Sequence, residues 1–151
     1  MPKQILSSNE IQPFISDYLY NGRKLESWEI KEITIEDSNL EAIFDMNSGY
    51  KSNSDLNQFH LTIFTALEVA SQLMIIYAHK WSNRTEKSQE GWMIESKTRS
   101  RNLIRASKNI LVKMTVKKIR SHHNKGFCIA SFIFSDSQGG IFEVDLKGFL
   151  S

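Results

Sequence analysis

LNQFHLTIFTALEVASQLMIIYAHKW, Leu56 to Trp81, decides how the rest of the chain is read. Its length and composition predict one long helix, apolar on almost every face. Such a helix is a buried one. Yet Thr62, Thr65, Glu68 and Gln72 follow one another at intervals of three, three and four residues. On a helix that spacing stacks them in one narrow polar stripe. A carboxylate in the middle of a buried helix is costly unless paired or hydrogen-bonded. The stripe is therefore expected to face a polar partner, a subunit interface or a reaction site.

Upstream, SNEIQPFISDYLY (residues 8–20) predicts a short helix with Ser8 as N-cap and Ile11, Phe14, Ile15 and Tyr18 on one face, closed by Asn21-Gly22. Residues 25–35 and 40–46 read as two strands joined by a turn at Asp37-Ser38-Asn39, so these two strands are expected to form a hairpin. Residues 47–55 have loop composition and lead into the long helix. Residues 82–91 form a polar loop, the best candidate for a mobile segment.

Downstream, strands are expected at 92–101, 109–120, 127–135 and 141–147. FCIASFIFS is apolar on both faces and suits a central strand. The links HHNKG and DSQGG read as hairpin turns with glycine supplying positive φ, so the last three strands form an antiparallel meander. The order predicts a single α+β domain over residues 1–151. An antiparallel sheet wraps around one long central helix, the hotdog arrangement, and covers most of the helix circumference.

Composition narrows the function. A net charge of +2 does not by itself imply nucleic acid, and none is expected as a partner. The one cysteine, Cys128, excludes an intramolecular disulfide and suits a reducing cytoplasm. The N-terminal residues show no apolar signal region. Glu68 and Gln72 argue against a membrane span. No metal site is expected, because His122-His123 have no Cys or acidic partner at ligand spacing. Phosphate-binding glycine loops and a nucleophile elbow are absent.

The candidate catalytic residues follow from the stripe. Glu68 reads either as a solvent-reaching or dimer-bridging residue, or as a desolvated carboxylate acting as general base. Thr65 and Gln72, one turn to either side, can orient it, hold a carbonyl or place a water. His60 is expected at the start of the helix, where unpaired N–H groups favour a developing oxyanion. A second constellation is KTRSRNLIRASKN, residues 97–109, with Lys97, Arg99, Arg101, Arg105 and Lys108 and no acid. It reads as an edge-strand face, or as a binding surface for coenzyme A phosphates or an acidic acyl carrier protein.

With these residues in hand, the sequence resembles the FcoT-like long-chain acyl-CoA thioesterases of the hotdog superfamily. Three patterns carry the likeness: Tyr18-Leu19-Tyr20-Asn21-Gly22; Phe64-Thr65-Ala66-Leu67-Glu68 followed by Gln72-Leu73; and Ser137-Gln138-Gly139-Gly140. The resemblance implies hydrolysis of a fatty acyl thioester by two tyrosines and an asparagine. Tyr18 matches the first tyrosine, Tyr50 is the candidate for the second, and Thr65 stands where the asparagine would be. Threonine lacks the amide N–H₂ but can still donate one hydrogen bond. The expected substrate is acyl-CoA or an acyl-carrier thioester. Coenzyme A or phosphopantetheine enters only as part of that substrate, and no separate cofactor is expected. A homodimer or higher homo-oligomer is expected. The alternatives are a 3-hydroxyacyl-thioester dehydratase using His60 and Glu68, and a non-catalytic acyl- or protein-binding domain.

Overall fold

A computed structural model describes residues 4–16, 19 and 21–151. An α-helix, α1 (Ser8–Ile11), runs into a 3-10 turn (Gln12–Phe14). Pro13 explains why the predicted 8–20 helix does not continue as one α-helix: proline removes a donor and crowds the preceding turn. The N-cap is Ser7 rather than Ser8, and the Ser7 amide donates to Glu10 Oε2 at 2.8 Å. The expected apolar face is not buried here. Ile11 and Ile15 are exposed, and Phe14 is 82% exposed. Tyr18, the last member of that face, lies outside the described residues.

The strands are β1 (Ser27–Glu36), β2 (Asn39–Ser48), β3 (Gly91–Asn102), β4 (Ile110–His122), β5 (Lys125–Ser135) and β6 (Ile141–Leu150). They form one sheet in the order β1-β2-β4-β5-β6-β3, antiparallel throughout. The first hairpin and the final meander are as the sequence predicts. The long helix, α2 (Ile63–Trp81), carries the chain from β2 to β3 at the far edge and packs on β5, β6 and β3.

One turn departs from expectation. Between β4 and β5 the positive φ angles belong to His123 (46°) and Asn124 (62°), while Gly126 sits within β5. Two left-handed residues make the tight turn whose twist matches the strands. Between β5 and β6 glycine does serve, with Gly139 at φ 82°.

Alternation fills the space between sheet and helix. Val112 and Met114 of β4, Ala130, Phe132 and Phe134 of β5, and Val144 and Leu146 of β6 point inward and are buried. Phe134 sits edge-on to Phe44 and Phe142, with centroids 6.1 and 6.4 Å apart. The helix answers with Ala66, Val69, Ala70 and Leu73, whose small members allow close approach. Burying Leu73 alone is worth roughly 1.5–3 kcal/mol.

The sheet covers one side of α2, not most of its circumference. Phe64, Leu67, Ser71, Gln72 and Ile75 are half-buried, and Glu68 is exposed. The helix also begins later than predicted. Leu56 and Asn57 adopt left-handed φ angles of 51° and 54° after a 3-10 turn (Asn53–Asp55), and Thr62 is the N-cap. The approach is tied down where the Leu61 amide donates to the Ile104 carbonyl at 2.9 Å.

Candidate active site

The polar stripe is real, and each of its first three members has a partner from the segment leading into β1. Thr62 Oγ1 accepts from the Thr65 amide at 3.2 Å, a side-chain cap on the first turn. Both threonine hydroxyls donate to one oxygen, Glu26 Oε2, at 3.1 and 2.8 Å. Thr65 is fully buried. A carboxylate thus sits at the helix N-terminus, where the aligned peptide dipoles favour negative charge.

One turn on, Glu68 Oε1 meets Arg23 Nη2 at 2.6 Å, and Trp28 Nε1 donates to Glu68 Oε2 at 3.3 Å. The Glu68 side chain is 49% exposed, so in the single chain it is not the desolvated carboxylate that an all-round buried helix implies. Arg23 also stands 5.3 Å from the centre of the Phe64 ring. Arg23, Trp28, Phe64, Leu67, Glu68, Ser71, Gln72, Ile75 and Met93 enclose an open groove of about 460 Å³. Gln72 therefore shares the groove with Glu68, as their spacing predicts.

His60 is not on the helix. It lies two residues before the N-cap, outside the helical register that carries Glu68. Its Nδ1 is 3.0 Å from Asp55 Oδ2. Arg105 grips the same carboxylate with both terminal nitrogens, at 2.6 and 3.0 Å, and reaches the Phe59 carbonyl at 3.3 Å. The Arg105 hydrogen bonds hold the Asp55 carboxyl below its usual range against the opposing effect of burial, with His60 adding to the shift. Tyr50 is half-buried and lies against Gly22, where an added Cβ would come within 2.6 Å of Tyr50 Cγ. Gly22 is needed for that approach.

The basic segment does not converge on the groove. In β3, Lys97 is paired in register with Asp145 and Arg99 with Glu143, on the sheet face away from the helix. Arg101 Nε donates to Glu143 Oε2 at 3.2 Å. Arg105 is committed to Asp55, and Lys108 Nζ lies 3.9 Å from Asp45 Oδ2. The structure disperses these residues into three places.

Three residues of the site were not singled out by sequence: Glu26, Arg23 and Trp28. The available signal was indirect. Two threonines three apart at a helix start need an acceptor, but nothing in the spacing says which carboxylate supplies it. Cys128 is buried beside a cavity of about 100 Å³ between α2 and β4, β5 and β6. Burial pushes its thiol up to about 11, which leaves it protonated and unreactive at neutral pH. Among the described residues, no helix is long and apolar enough to cross a membrane.

No protein-family model matches the sequence, and no curated protein matches it. Solved structures do share the fold. A mutant thioesterase from Pseudomonas aeruginosa is similar over 98% of this chain and 96% of its own, at 13% identity and a TM-score of 0.55. A thioesterase from Haemophilus influenzae is similar over 99% of this chain and 93% of its own, at 10% identity and a TM-score of 0.51. A Streptococcus mutans protein bound to acetyl CoA is similar over 83% and 90%, at 6% identity and a TM-score of 0.52. With its six antiparallel strands packed on one long helix, the chain has the hotdog fold.

Proposed function

We propose that the chain is an acyl-thioester hydrolase of the FcoT-like kind, acting on fatty acyl-CoA or acyl-carrier thioesters as a homodimer. One observation carries the reading: a groove with apolar walls runs along the uncovered side of α2 and holds paired polar groups at its floor. The acyl chain lies along Phe64 and Leu67. The thioester carbonyl sits beside the stripe. A carboxylate, Glu68 or Glu26, takes a proton from water as its oxygen attacks the carbonyl carbon. The amides of Ile63 and Phe64, which lie in the first helical turn ahead of the capped Thr65 amide, stabilise the oxyanion. The C–S bond then breaks, the sulfur takes up a proton, and free acid and thiol leave. Thr65 positions Glu26, and Tyr18 and Tyr50 are proposed as further donors to the carbonyl.

The dimer is proposed from β3. All its residues except Thr98 are exposed, Trp92 by 56%, and among the described residues one edge has no neighbouring strand. A long unpaired edge with exposed apolar residues is a pairing surface. Light scattering on the purified chain tests it, and a monomer at micromolar concentration would reject it.

Thiol release from a panel of acyl-CoA and acyl-carrier substrates tests the hydrolase. Wild type is expected to turn over at least one of them, and Thr65→Ala, Glu68→Ala and Glu26→Gln are each expected to be slower. Equal rates in all four proteins would defeat the site assignment. A dehydratase reading draws on the His60–Asp55 contact, which fixes the imidazole in the way acid-base histidines are held. An enoyl product without free thiol would select it.

A further inference from the structure

The small net charge hides a division within the chain. Residues 96–135 carry ten of the nineteen Lys and Arg and none of the seventeen Asp and Glu. Six of the ten face carboxylates that are remote in sequence. Arg101, Arg105, Lys108 and Lys113 meet Glu143, Asp55, Asp45 and Glu41, and Lys97 and Arg99 lie across from Asp145 and Glu143. The four left over, Lys117, Lys118, Arg120 and Lys125, gather at the turn end of the β4–β5 hairpin. Among the described residues, no carboxylate lies within ion-pairing distance of them. Like charges left crowded and unmatched favour a polyanion.

The fold fixes where these cations point. After a bulge at Val116/Lys118, Lys118 and Arg120 lie across from Ile129 and Phe127, and His122 across from Lys125. Ile129 and Phe127 alternate with the buried Ala130 and Cys128, so they and the cations opposite face away from α2. β2 ends at Asn39, across from Thr115, so among the described residues this end of β4 has an open side.

A row of rings continues the same face. Arg120, Phe127, Phe149 and Trp92 are successive cross-strand partners over β4, β5, β6 and β3. A Cβ on Gly91 would meet Ile75 of α2, so its neighbour Trp92 points to the outer side. Trp92 is exposed, and Phe127 and Phe149 are half-buried. With strands about 4.8 Å apart, the three rings span about 10 Å. Lys118, Arg120, His122 and Lys125 rim a depression of about 570 Å³ over Phe127 and Phe149. Lys147, 5.9 Å from the centre of the Phe127 ring, lies across from Glu95 and so does not join the unmatched set.

Cations on an open strand block edge-to-edge association. That role leaves unexplained three rings in line beside them. Rings that take the faces of bases, flanked by cations that take phosphates, make a single-strand binding surface. A duplex hides its base faces, so the rings select an unpaired strand, and RNA is the nucleic acid ordinarily present in that form. We propose that the outer face over β4, β5, β6 and β3 binds single-stranded RNA, with phosphates at Lys118, Arg120 and Lys125 and bases on Phe127, Phe149 and Trp92. This face lies on the opposite side of the sheet from the groove and does not depend on the hydrolase reading. Pairing of two chains through the β3 edge leaves it open, because edge pairing uses backbone groups in the plane of the sheet.

Fluorescence anisotropy with a labelled oligouridylate of about 12 nucleotides tests the proposal, between about 50 and 200 mM salt. Wild type and the control Lys113→Gln, at the matched end, are expected to bind alike, with log K falling against log salt at a slope of about −2 to −3. The exposed double variant Lys118→Glu/Arg120→Glu is expected to bind about tenfold or more weakly, with a shallower slope. Trp92→Ala is expected to bind about fivefold or more weakly with the slope unchanged, and Trp92→Phe to recover most of that loss. The same oligomer annealed to oligoadenylate is expected to bind more weakly than alone. Wild type that does not bind the oligomer, or equal binding by wild type and the double variant, overturns the proposal. Loss in the double variant with none in Trp92→Ala also overturns it, since a charged patch without stacking remains. Duplex bound as tightly as single strand does the same. So does tighter binding to phosphatidylserine vesicles than to the oligomer, which would make the face a membrane surface.

Discussion

The two halves of α2 satisfy their polar groups in opposite ways. In the C-terminal half the side chains turn back onto backbone. His79 Nδ1 lies 2.8 Å from the Ile75 carbonyl and its Nε2 accepts from the Ser88 amide at 3.2 Å. Ser82 Oγ donates to the Ala78 carbonyl, and Tyr77 Oη to the Asp37 carbonyl at 2.7 Å. In the N-terminal half the partners are charged side chains, Glu26 and Arg23, brought from about 40 residues away in sequence. Backbone partners make a finished structural joint. Charged side chains beside an open groove can exchange a partner for a ligand.

The largest effect that would break this contrast is on turnover. Glu68→Ala or Glu26→Gln is expected to lower kcat of a hydrolysed thioester by about 10² or more. Pre-steady-state thiol release measures it, and an unchanged rate would make the N-terminal half as structural as the other.

Next in size is a loss of stability away from both halves. Asp136 accepts four backbone amides, from Arg105, Ala106, Gln138 and Gly140, and so pins the β5–β6 turn to the segment after β3. Asp136→Ala is expected to cost about 2 kcal/mol by thermal unfolding, because several donors lose their acceptor. Burial alone would raise this carboxyl and is the largest single influence. The four amides together outweigh it and lower it. A lowered folded value means stabilisation that is complete above the unfolded value, about 3.9, and lost as pH falls through the folded one. Wild type should therefore lose stability below about pH 4 more steeply than Asp136→Ala, and parallel acid-unfolding curves would remove Asp136 as the cause.

Smaller still, His79→Phe is expected to destabilise by about 1 kcal/mol and to speed amide exchange at Ser88, with kcat unchanged. A large drop in kcat would mean that the C-terminal half takes part in chemistry.

Much of the fold was legible because its signals are local. Period-two alternation in Val112, Met114 and Val116, and the turn residues around Asp37 and Gly139, place the strands within a few residues. The helix start was not legible. LNQFHL carries apolar residues as the helix itself does, and only the left-handed Leu56 and Asn57 and the cap at Thr62 set the boundary. The stripe was visible as spacing, but its partners were not, since Glu26 and Arg23 reach it through tertiary packing. The partners of the basic run 97–109 were hidden for the same reason: Asp145, Glu143 and Asp55, which lie across from or bind its cations, are remote in sequence.

The position of β6 has a consequence for synthesis. The last strand lies between β5 and β3, so β3, made about 40 residues earlier, has no neighbour in the sheet until β6 emerges. The hairpin β1–β2 can close early, but α2 waits for β5 and β6 as its floor. Folding of this chain is therefore expected to be completed only when its C-terminal strand is free of the ribosome, and until then an apolar helix and the Trp92 edge are uncovered together. Truncation before Ile141 should yield a chain that is aggregation-prone rather than a smaller folded domain.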